Sequence, residues 1–272
     1  MSATVSRTAD RWFVSIAVDV GDIPTEEQPH EVVGIDLGIS SLMTLSKPMN
    51  GNQKIQNPRS LKKAQRKLRR AQKSVSRKEN CRKKHGVKKS NRHKKAIVKL
   101  SKLYARVANI RKDTLHKATT LISKEFKVVC LEDLNVKGML KNHKLASAIS
   151  DASFFEIKRQ LQYKKQLFGG HLICIDRWFP SSKCCSNCGV VVEELPLNIR
   201  EWKCADCGSV HDRDINASIN IEKVGTACPE PSVTSLQRTH RERIALVADV
   251  KVSNETNSLN CELHRSEQEQ GR

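Results

Sequence analysis

The chain has 272 residues, of which 49 are Lys or Arg and 29 are Asp or Glu, so its formal net charge is +20. Hydrophobic residues make up 38% and aromatic residues 4% of the sequence, which suffices for a modest core in one large domain or two ordinary ones. The lack of an apolar run near the ~18 residues of a membrane helix, and of a secretory pattern, argues against membrane and secreted proteins.

The first part of the chain predicts three strands and a turn. Residues 11–20 alternate apolar and polar side chains, which is typical of a strand with one buried face. Residues 31–36 form a short apolar strand that ends on Asp36, and a second strand follows around residues 42–45. Residues 47–51 contain a proline and an Asn-Gly pair, so they predict a turn.

The next segment carries the whole positive excess of the chain. Residues 54–117 contain 25 Lys or Arg and two acids, which gives +23, whereas the remaining residues sum to −3. Apolar residues spaced by three and four over residues 61–75, and again over residues 97–110, keep one narrow seam on each of two helices. A polar break at residues 83–90 joins the helices as an antiparallel hairpin.

This basic hairpin is predicted to bind a nucleic acid. Charge runs are usually solvated helix faces, and the apolar pattern also suits a coiled-coil spacer. At this density, however, unneutralised self-repulsion would oppose folding, which favours a polyanionic partner. The predicted contacts are Lys62, Lys63, Arg66, Lys67, Arg69, Arg70, Arg92, Lys94 and Lys95.

Strands and helices alternate after the hairpin. Residues 125–134 contain a buried type of strand, and residues 153–168 form a helix that a glycine pair ends. Residues 171–176 predict another strand, and residues 214–221 open a short helix. After residue 224 the sequence is polar and aperiodic. The order of elements predicts an α/β fold with a mixed sheet.

Four of the ten cysteines have the spacing of a metal site. They form two Cys-x2-Cys pairs separated by fifteen residues: Cys185, Cys188, Cys204 and Cys207. Four thiolates complete a tetrahedral Zn²⁺ shell, which predicts a structural site in a reducing compartment. Iron or free thiols are the alternatives. Cys184 adjoins one pair, and His211 could replace a ligand.

Three carboxylates could form a second metal site. Asp36 and Glu132 each end a predicted strand, and Asp214 begins a predicted helix. Carboxylates at adjacent strand ends can converge, and such a group suits two Mg²⁺ ions ~3.5–4 Å apart that promote phosphodiester hydrolysis. A lone acid after a strand is more often a turn or N-cap residue, so spacing alone leaves both interpretations open.

Several motifs resemble those of a known family. Gly34–Gly38 (GIDLG), Leu131–Leu134 (LEDL) and His211–Ala217 (HDRDINA) resemble the three RuvC-type nuclease motifs of the TnpB family. This family comprises transposon-encoded relatives of type V CRISPR effectors that were long called transposases. Phe179–Lys183 (FPSSK), ahead of the first cysteine pair, resembles the segment that leads into the family's zinc ribbon.

The resemblance implies an RNase H-like (RuvC) fold into which a basic helical hairpin and a zinc ribbon are inserted. It implies Mg²⁺-dependent DNA cleavage guided by a transposon-derived RNA, with catalytic and Mg²⁺-binding roles for Asp36, Glu132 and Asp214. Asp214 is preferred to Asp212 because the family's acid precedes x-Asn-Ala. The expected cofactors are structural Zn²⁺ and catalytic Mg²⁺. The expected partners are DNA and guide RNA, in the cytoplasm at the nucleoid, without a membrane.

The resemblance also sets the expected domains. These are a wedge-type strand and linker (1–30), a first nuclease part (31–182) containing the basic hairpin (54–122), a zinc ribbon (183–210), a second nuclease part (211–224) and a polar, disordered tail (225–272). Family members usually carry a wedge barrel and a recognition domain first, so we expect an N-terminally truncated relative. Two functions remain open: a guided endonuclease, or a catalytically idle binding or regulatory fragment of the same element.

Overall fold

The computed structural model describes residues 2–18 and 28–227, so nearly all of the predicted tail (225–272) lies outside the described residues. The chain divides into two compact units, and the described part of the first unit is a β-hairpin. Its strands are β1 (Ser2–Thr8) and β2 (Arg11–Ala17), paired antiparallel. The predicted strand at 11–20 is confirmed as β2 for residues 11–17, but both of its faces are exposed rather than one being buried. Strand β1 was not predicted.

The second unit is built on a five-stranded mixed sheet. Its strands are β3 (His30–Leu37), β4 (Ser41–Met49), β5 (Asn52–Gln56), β6 (Phe126–Glu132) and β7 (His171–Ile175), in the order β5-β4-β3-β6-β7. The pairs β3–β4 and β4–β5 are antiparallel, and the pairs β3–β6 and β6–β7 are parallel. The mixed α/β architecture expected from the sequence is therefore present.

The edge strand β5 differs from the prediction, which began the helical basic segment at Lys54. The chain remains extended to Met49, and only Asn50 and Gly51 form the turn, with φ angles of 52° and 76°. Asn-Gly is the preferred pair for a two-residue hairpin turn, because both positions need positive φ. The pair therefore marked a β-hairpin, and Lys54 lies on its second strand.

The predicted helical hairpin consists of α1 (Ser60–His85) and α2 (Asn91–Glu125). Gly86, in the left-handed conformation with φ 60°, ends α1, and the hydroxyl of Ser90 caps α2 by accepting from the backbone N–H of His93 at 3.2 Å. Leu68 of α1 and Val107 of α2 are buried along the apolar seam. The hairpin begins at residue 60 rather than 54 and ends at 125 rather than 122.

The described part of the second unit contains four more helices: α3 (Val136–Met139), α4 (Ala146–Ala152), α5 (Phe154–Phe168) and α6 (Arg213–Ala227). Short α3 and α4 were not predicted, while α5 and α6 confirm the helices expected at 153–168 and 214–221. Within the described ranges, we find no helix with the length and apolarity that crossing a membrane requires.

One buried carboxylate fixes the base of the hairpin. Asp151 of α4 is 6% exposed and accepts from the backbone N–H of Leu61 at 3.0 Å and from the hydroxyl of Ser60 at 3.1 Å. It also accepts from the guanidinium of Arg111 on α2 at 3.2 Å. Because α1 has no side-chain cap of its own, Asp151 caps that helix from outside and joins both hairpin helices to α4.

The sheet is covered on both faces, and α6 approaches one of them very closely. Val129 and Leu131 of β6 pack with α2 and α5, while Cys130 between them packs with Ile221 of α6. A Cβ atom on Gly34 of β3 would lie only 2.0 Å from the carbonyl oxygen of Ser218. Glycine in β3 therefore permits α6 to lie against the strand that carries Asp36.

Candidate functional site

The ends of two parallel strands place Asp36 and Glu132 side by side. Ile35 of β3 pairs with Leu131 of β6, so the next residue on each strand is one of the predicted acids. Because parallel strands end at the same edge of a sheet, both carboxylates belong to one edge. The apolar residues before them are buried, which anchors the two strands beneath the site.

The third acid, Asp214, lies in the first turn of α6. Its neighbour Asp212 has a structural role: one of its carboxylate oxygens accepts from the backbone N–H groups of Asp214 and Ile215, both at 3.0 Å. The other oxygen of Asp212 accepts from the ammonium of Lys54 at 2.7 Å. Asp212 therefore caps the helix, and the charge of Asp214 acts on Asp36 instead.

Electrostatics connect the three carboxylates. Burial raises the pKa of Asp36 to about 7, with smaller contributions from the negative charges of Asp214 and Glu132. Burial also raises the pKa of Glu132. The nearby cation of Arg213 offsets only part of the effect on Asp36, and the guanidinium of Arg200 lies 3.3 Å from the carboxylate of Asp214. A sheet edge where three carboxylates lie can attract a hard divalent cation, which would relieve the repulsion between their negative charges.

The carboxylates do not form a closed ligand shell. Among the described residues, the four cysteines are the one group of three or more His, Cys, Asp or Glu whose ligand atoms all lie within 4.8 Å of one another. An open set of acids is compatible with Mg²⁺, which usually takes one or two carboxylates and completes its shell with water and substrate phosphate oxygens. The donor chemistry therefore fits Mg²⁺ bound together with a phosphodiester.

The four predicted cysteines meet as a group that could bind a metal. The sulfurs of Cys185 and Cys207 are 3.7 Å apart, as are those of Cys188 and Cys204. A tetrahedral Zn²⁺ with bonds of about 2.3 Å requires sulfurs roughly 3.8 Å apart. Hydrogen bonds with the side chain and backbone of Ser209 lower the pKa of Cys207, which favours the thiolate form that binds metals.

The two alternative ligands lie beside this group. Cys184 is not part of it, and its thiol points to the carbonyl oxygen of Gly189 at 3.5 Å. His211 lies with its Nε2 atom 3.0 Å from the sulfur of Cys185, and its ring packs against Trp202 at 4.9 Å between centroids. Both residues thus border the cysteine group. Trp202 is buried together with Cys185 and Cys204, and these three residues form a small hydrophobic core.

The cysteine segment is hydrogen-bonded to the helix that carries Asp214. It contains a small antiparallel pair, β8 (Glu201–Lys203) and β9 (Val210–Asp212), and β9 leads directly into α6. The Asn216 side chain of α6 accepts from the backbone N–H of Ser186 at 2.9 Å and donates to the carbonyl of Cys184 at 2.7 Å. A metal bound by the cysteines would therefore stabilise the position of Asp214. Asn216 was not among the predicted site residues, although it belongs to the motif that contains Asp214.

The nine predicted nucleic-acid contacts are exposed on α1 and on the first turns of α2. They lie outside the seam that contains the buried Leu68 and Val107. Nothing in the structure tests the individual contacts, which remain predictions. Lys54, at the start of the basic segment, is instead bound to Asp212 at the carboxylate edge.

Two family models match consecutive parts of the chain. The model described as "Probable transposase" (OrfB_IS605) matches residues 15–143, and the model described as "Cas12f1-like, TNB domain" matches residues 154–221. The first range contains Asp36, Glu132 and the basic hairpin, and the second contains the four cysteines and Asp214. The two matches thus cover the residues that form both candidate metal sites.

Several relatives show the same similarity. The chain is 46% identical over 227 residues to a "Putative RNA-guided DNA endonuclease" of Streptomyces pristinaespiralis, covering 83% of this chain and 53% of that protein. It is 33% identical over 142 residues to "TnpB-like protein L79" of Acanthamoeba polyphaga mimivirus, covering 50% of this chain and 27% of the relative. A structure of a Cas12f1–sgRNA–target DNA complex aligns with a TM-score of 0.49 and 18% identity, covering 80% of this chain and 55% of that one.

The matches cover most of this chain but only part of its relatives. The chain spans about half the length of the bacterial relatives it matches. The matches nevertheless run through the strands, the hairpin, the cysteine group and α6. On its motifs, its matched family models and its relatives, the chain belongs to the TnpB family.

Proposed function

We propose that the chain carries the RuvC-like, Mg²⁺-dependent DNA endonuclease site of a TnpB protein, with Asp36, Glu132 and Asp214 as its catalytic acids. The observation that carries the proposal is the placement of Asp36 and Glu132 at adjacent ends of two parallel strands, with Asp214 in the first turn of the helix that lies against β3. Burial, with smaller contributions from the charges of Asp214 and Glu132, raises the pKa of Asp36 to about 7, which agrees with this placement. Acids that served only as turn residues would not need to be gathered there.

The sheet topology supports an RNase H-like core. Three antiparallel strands are followed by two parallel ones, and the first strand of the set, β3, lies in the middle of the sheet beside β6. This places two acids on the central strands, and α6 brings the third across the face of the sheet. We therefore propose that residues 31–182 and 211–224 form one nuclease core, interrupted by a zinc ribbon at 183–210.

The acids at the carboxyl ends of β3 and β6 and at the start of α6 would bind a metal ion together with a phosphodiester. Asp36 would hold Mg²⁺ together with Glu132 and Asp214, and a bound ion supplies Lewis-acid stabilisation of the phosphoryl and leaving oxygens. Asp212 and Lys54 fix the start of α6, which orients Asp214 toward Asp36. The raised pKa of Asp36 favours its protonated form when no metal is bound, and a bound cation would favour the ionised form.

The remaining parts would bind and position. We propose that the four cysteines hold a structural Zn²⁺, which leaves no open coordination position and stiffens the segment attached to α6. The exposed cations of the hairpin would neutralise phosphates. Since the Streptomyces relative is named an RNA-guided DNA endonuclease, we propose DNA as the substrate and a transposon-derived RNA as the guide of the whole protein.

Matched variants at a predicted catalytic acid and at an exposed acid test the proposal. Asp214→Asn should abolish Mg²⁺-dependent nicking of DNA and the rise in melting temperature that Mg²⁺ produces. Asp113→Asn is the control, because Asp113 is exposed on α2 and pairs only with the neighbouring Lys117 among the described residues. If the Mg²⁺-dependent rise in melting temperature survives Asp214→Asn, the metal assignment is wrong. A rise without any nicking by the wild-type chain would favour the binding or regulatory fragment.

A further inference from the structure

Trp178 is the most exposed large apolar side chain among residues 2–18 and 28–227, with 85% of its surface accessible. Trp178 lies in a tight turn directly after β7, where its backbone N–H donates to the carboxylate of Asp176 at 2.8 Å. Exposing an indole to water is unfavourable, so an exposed Trp whose backbone is held in a turn is a candidate for contact with a ligand.

The turn lies beside the carboxylate edge. Ile175, the last residue of β7, pairs with Glu132, and its carbonyl oxygen accepts from the backbone N–H of Asp133 at 3.2 Å. Trp178 is therefore three residues beyond the strand partner of a predicted catalytic acid. A cleft at this position is lined by Asp133, Lys158, Cys174, Asp176, Arg177 and Trp178.

Two cations of this cleft can contact a phosphate backbone. Lys158 of α5 donates to the carboxylate of Asp133 at 2.7 Å, and Arg177 donates to the other oxygen of the same carboxylate. With Asp176, the lining carries two cations and two acids, so phosphate binding depends on the donor geometry: a guanidinium with five N–H donors can bind a phosphate while keeping its pair with Asp133. One turn before Lys158, on the same side of α5, Phe155 is 64% exposed, whereas the adjacent Phe154 is buried.

We propose that Trp178 is a stacking platform for an unpaired base of the DNA strand that enters the carboxylate site, with Lys158 and Arg177 contacting its phosphates. The proposal rests on the nuclease function given above and adds a binding residue to it. An exposed indole beside two cations provides the combination that single strands require, namely a π-face and a path for the backbone. Bases within a duplex are already stacked on one another, so a single strand is the fitting occupant.

Equilibrium binding to single-stranded DNA tests this role without requiring cleavage. The full chain is titrated against fluorescein-labelled oligo(dT), without added Mg²⁺, and anisotropy is measured at several salt concentrations. Trp178→Ala should weaken binding about five- to a hundred-fold, the effect of losing one stacked base. Trp178→Phe should retain most of the affinity. Trp12→Ala, at an exposed Trp of the first unit, is the matched control and should bind as the wild type does.

A strand of abasic nucleotides separates stacking from an indirect effect. The wild type should bind this strand about as weakly as Trp178→Ala binds oligo(dT), and the substitution should cause no further loss on it. The slope of affinity against salt should stay the same, because the phosphate contacts remain. Equal losses on the two strands, an unchanged affinity for oligo(dT), or an equal loss in Trp12→Ala would each overturn the proposal.

Other results of these experiments would show whether the Trp178 inference or the proposed nuclease function is wrong. If Trp178→Ala weakens duplex binding as much as single-strand binding, or oligo(U) binds more tightly than oligo(dT), the occupant is not a DNA single strand and the inference is wrong. A wild-type chain that binds no oligonucleotide contradicts both this inference and the proposed function. Trp178-dependent binding without any Mg²⁺ effect on melting contradicts the nuclease site alone.

Discussion

Replacing Asp36 with Asn should stabilise the metal-free protein at neutral and alkaline pH. Burial and two neighbouring negative charges raise the pKa of Asp36 to about 7 from an ordinary value of 3.8. Between these values the folded chain binds more protons than the unfolded chain, so the free energy of unfolding falls as the pH rises from about 4 to about 7. The neutral amide of asparagine should remove this loss.

The shift sets the size of the effect. A difference of about three pH units corresponds to roughly 4 kcal/mol, at 1.36 kcal/mol per unit. Asp36 keeps part of its surface in contact with solvent, so we take this as an upper limit and expect about 1–4 kcal/mol at pH 8. For a folded unit of about 200 residues, each kcal/mol shifts the melting temperature by about 2–4 °C.

Thermal unfolding from pH 4 to pH 8, without added Mg²⁺, measures this difference. The melting temperature of Asp36→Asn should exceed that of the wild type at pH 8, and the gap should narrow toward pH 4. Asp113→Asn is the control, because Asp113 is exposed and pairs with Lys117 one helical turn away, a contact worth under about 0.5 kcal/mol. A less stable Asp36→Asn at pH 8 would show that this carboxylate is a structural turn residue and refute the reasoning.

Three other perturbations have defined outcomes. Cys188→Ser should lose the bound metal, measured by metal analysis of the purified chain, and should loosen the start of α6 in hydrogen exchange; unchanged metal content would contradict the site. Asp151→Ala should lower the free energy of unfolding by about 2–4 kcal/mol, because it removes an outside cap and leaves Arg111 unpaired, and an effect below 0.5 kcal/mol in denaturant titration would contradict that role. Replacing four cations of the hairpin with Gln at the same time should flatten the salt dependence of DNA affinity, by roughly 0.9 in slope per lost phosphate contact. The four residues are Lys62, Arg66, Arg69 and Arg70. An unchanged slope would show that the hairpin is only a spacer.

Local patterns in the sequence predicted the elements whose stabilisation is itself local. The apolar runs before Asp36 and Glu132 predicted β3 and β6, and the seam of spaced apolar residues predicted the hairpin. The Cys-x2-Cys spacing predicted a metal-binding group because each knuckle is a short-range structure. By contrast, residues 47–51 with their Asn-Gly pair were interpreted as a turn that leads into the helical segment, and β5 was missed for that reason.

Features that depend on tertiary contacts could not be predicted. Lys164 and Lys165 of α5 would be assigned to a solvated face, yet both are buried. The ammonium of Lys164 donates to the carbonyl of His116 at 2.9 Å, and that of Lys165 to the carbonyl of Ser123 at 3.0 Å, near the end of α2. No pattern within α5 indicates these acceptors, because α2 supplies them. The external cap provided by Asp151 is a contact of the same kind.

The central claim is that three acids from distant parts of the chain bind one set of divalent ions. Its most direct measurement is an anomalous difference map from crystals of the chain grown with Mn²⁺ in place of Mg²⁺. The account predicts a peak within about 2.5 Å of carboxylate oxygens of Asp36 and of at least one of Glu132 and Asp214. A map with no peak at this edge, or with a peak bound by Asp212 instead, would contradict the account.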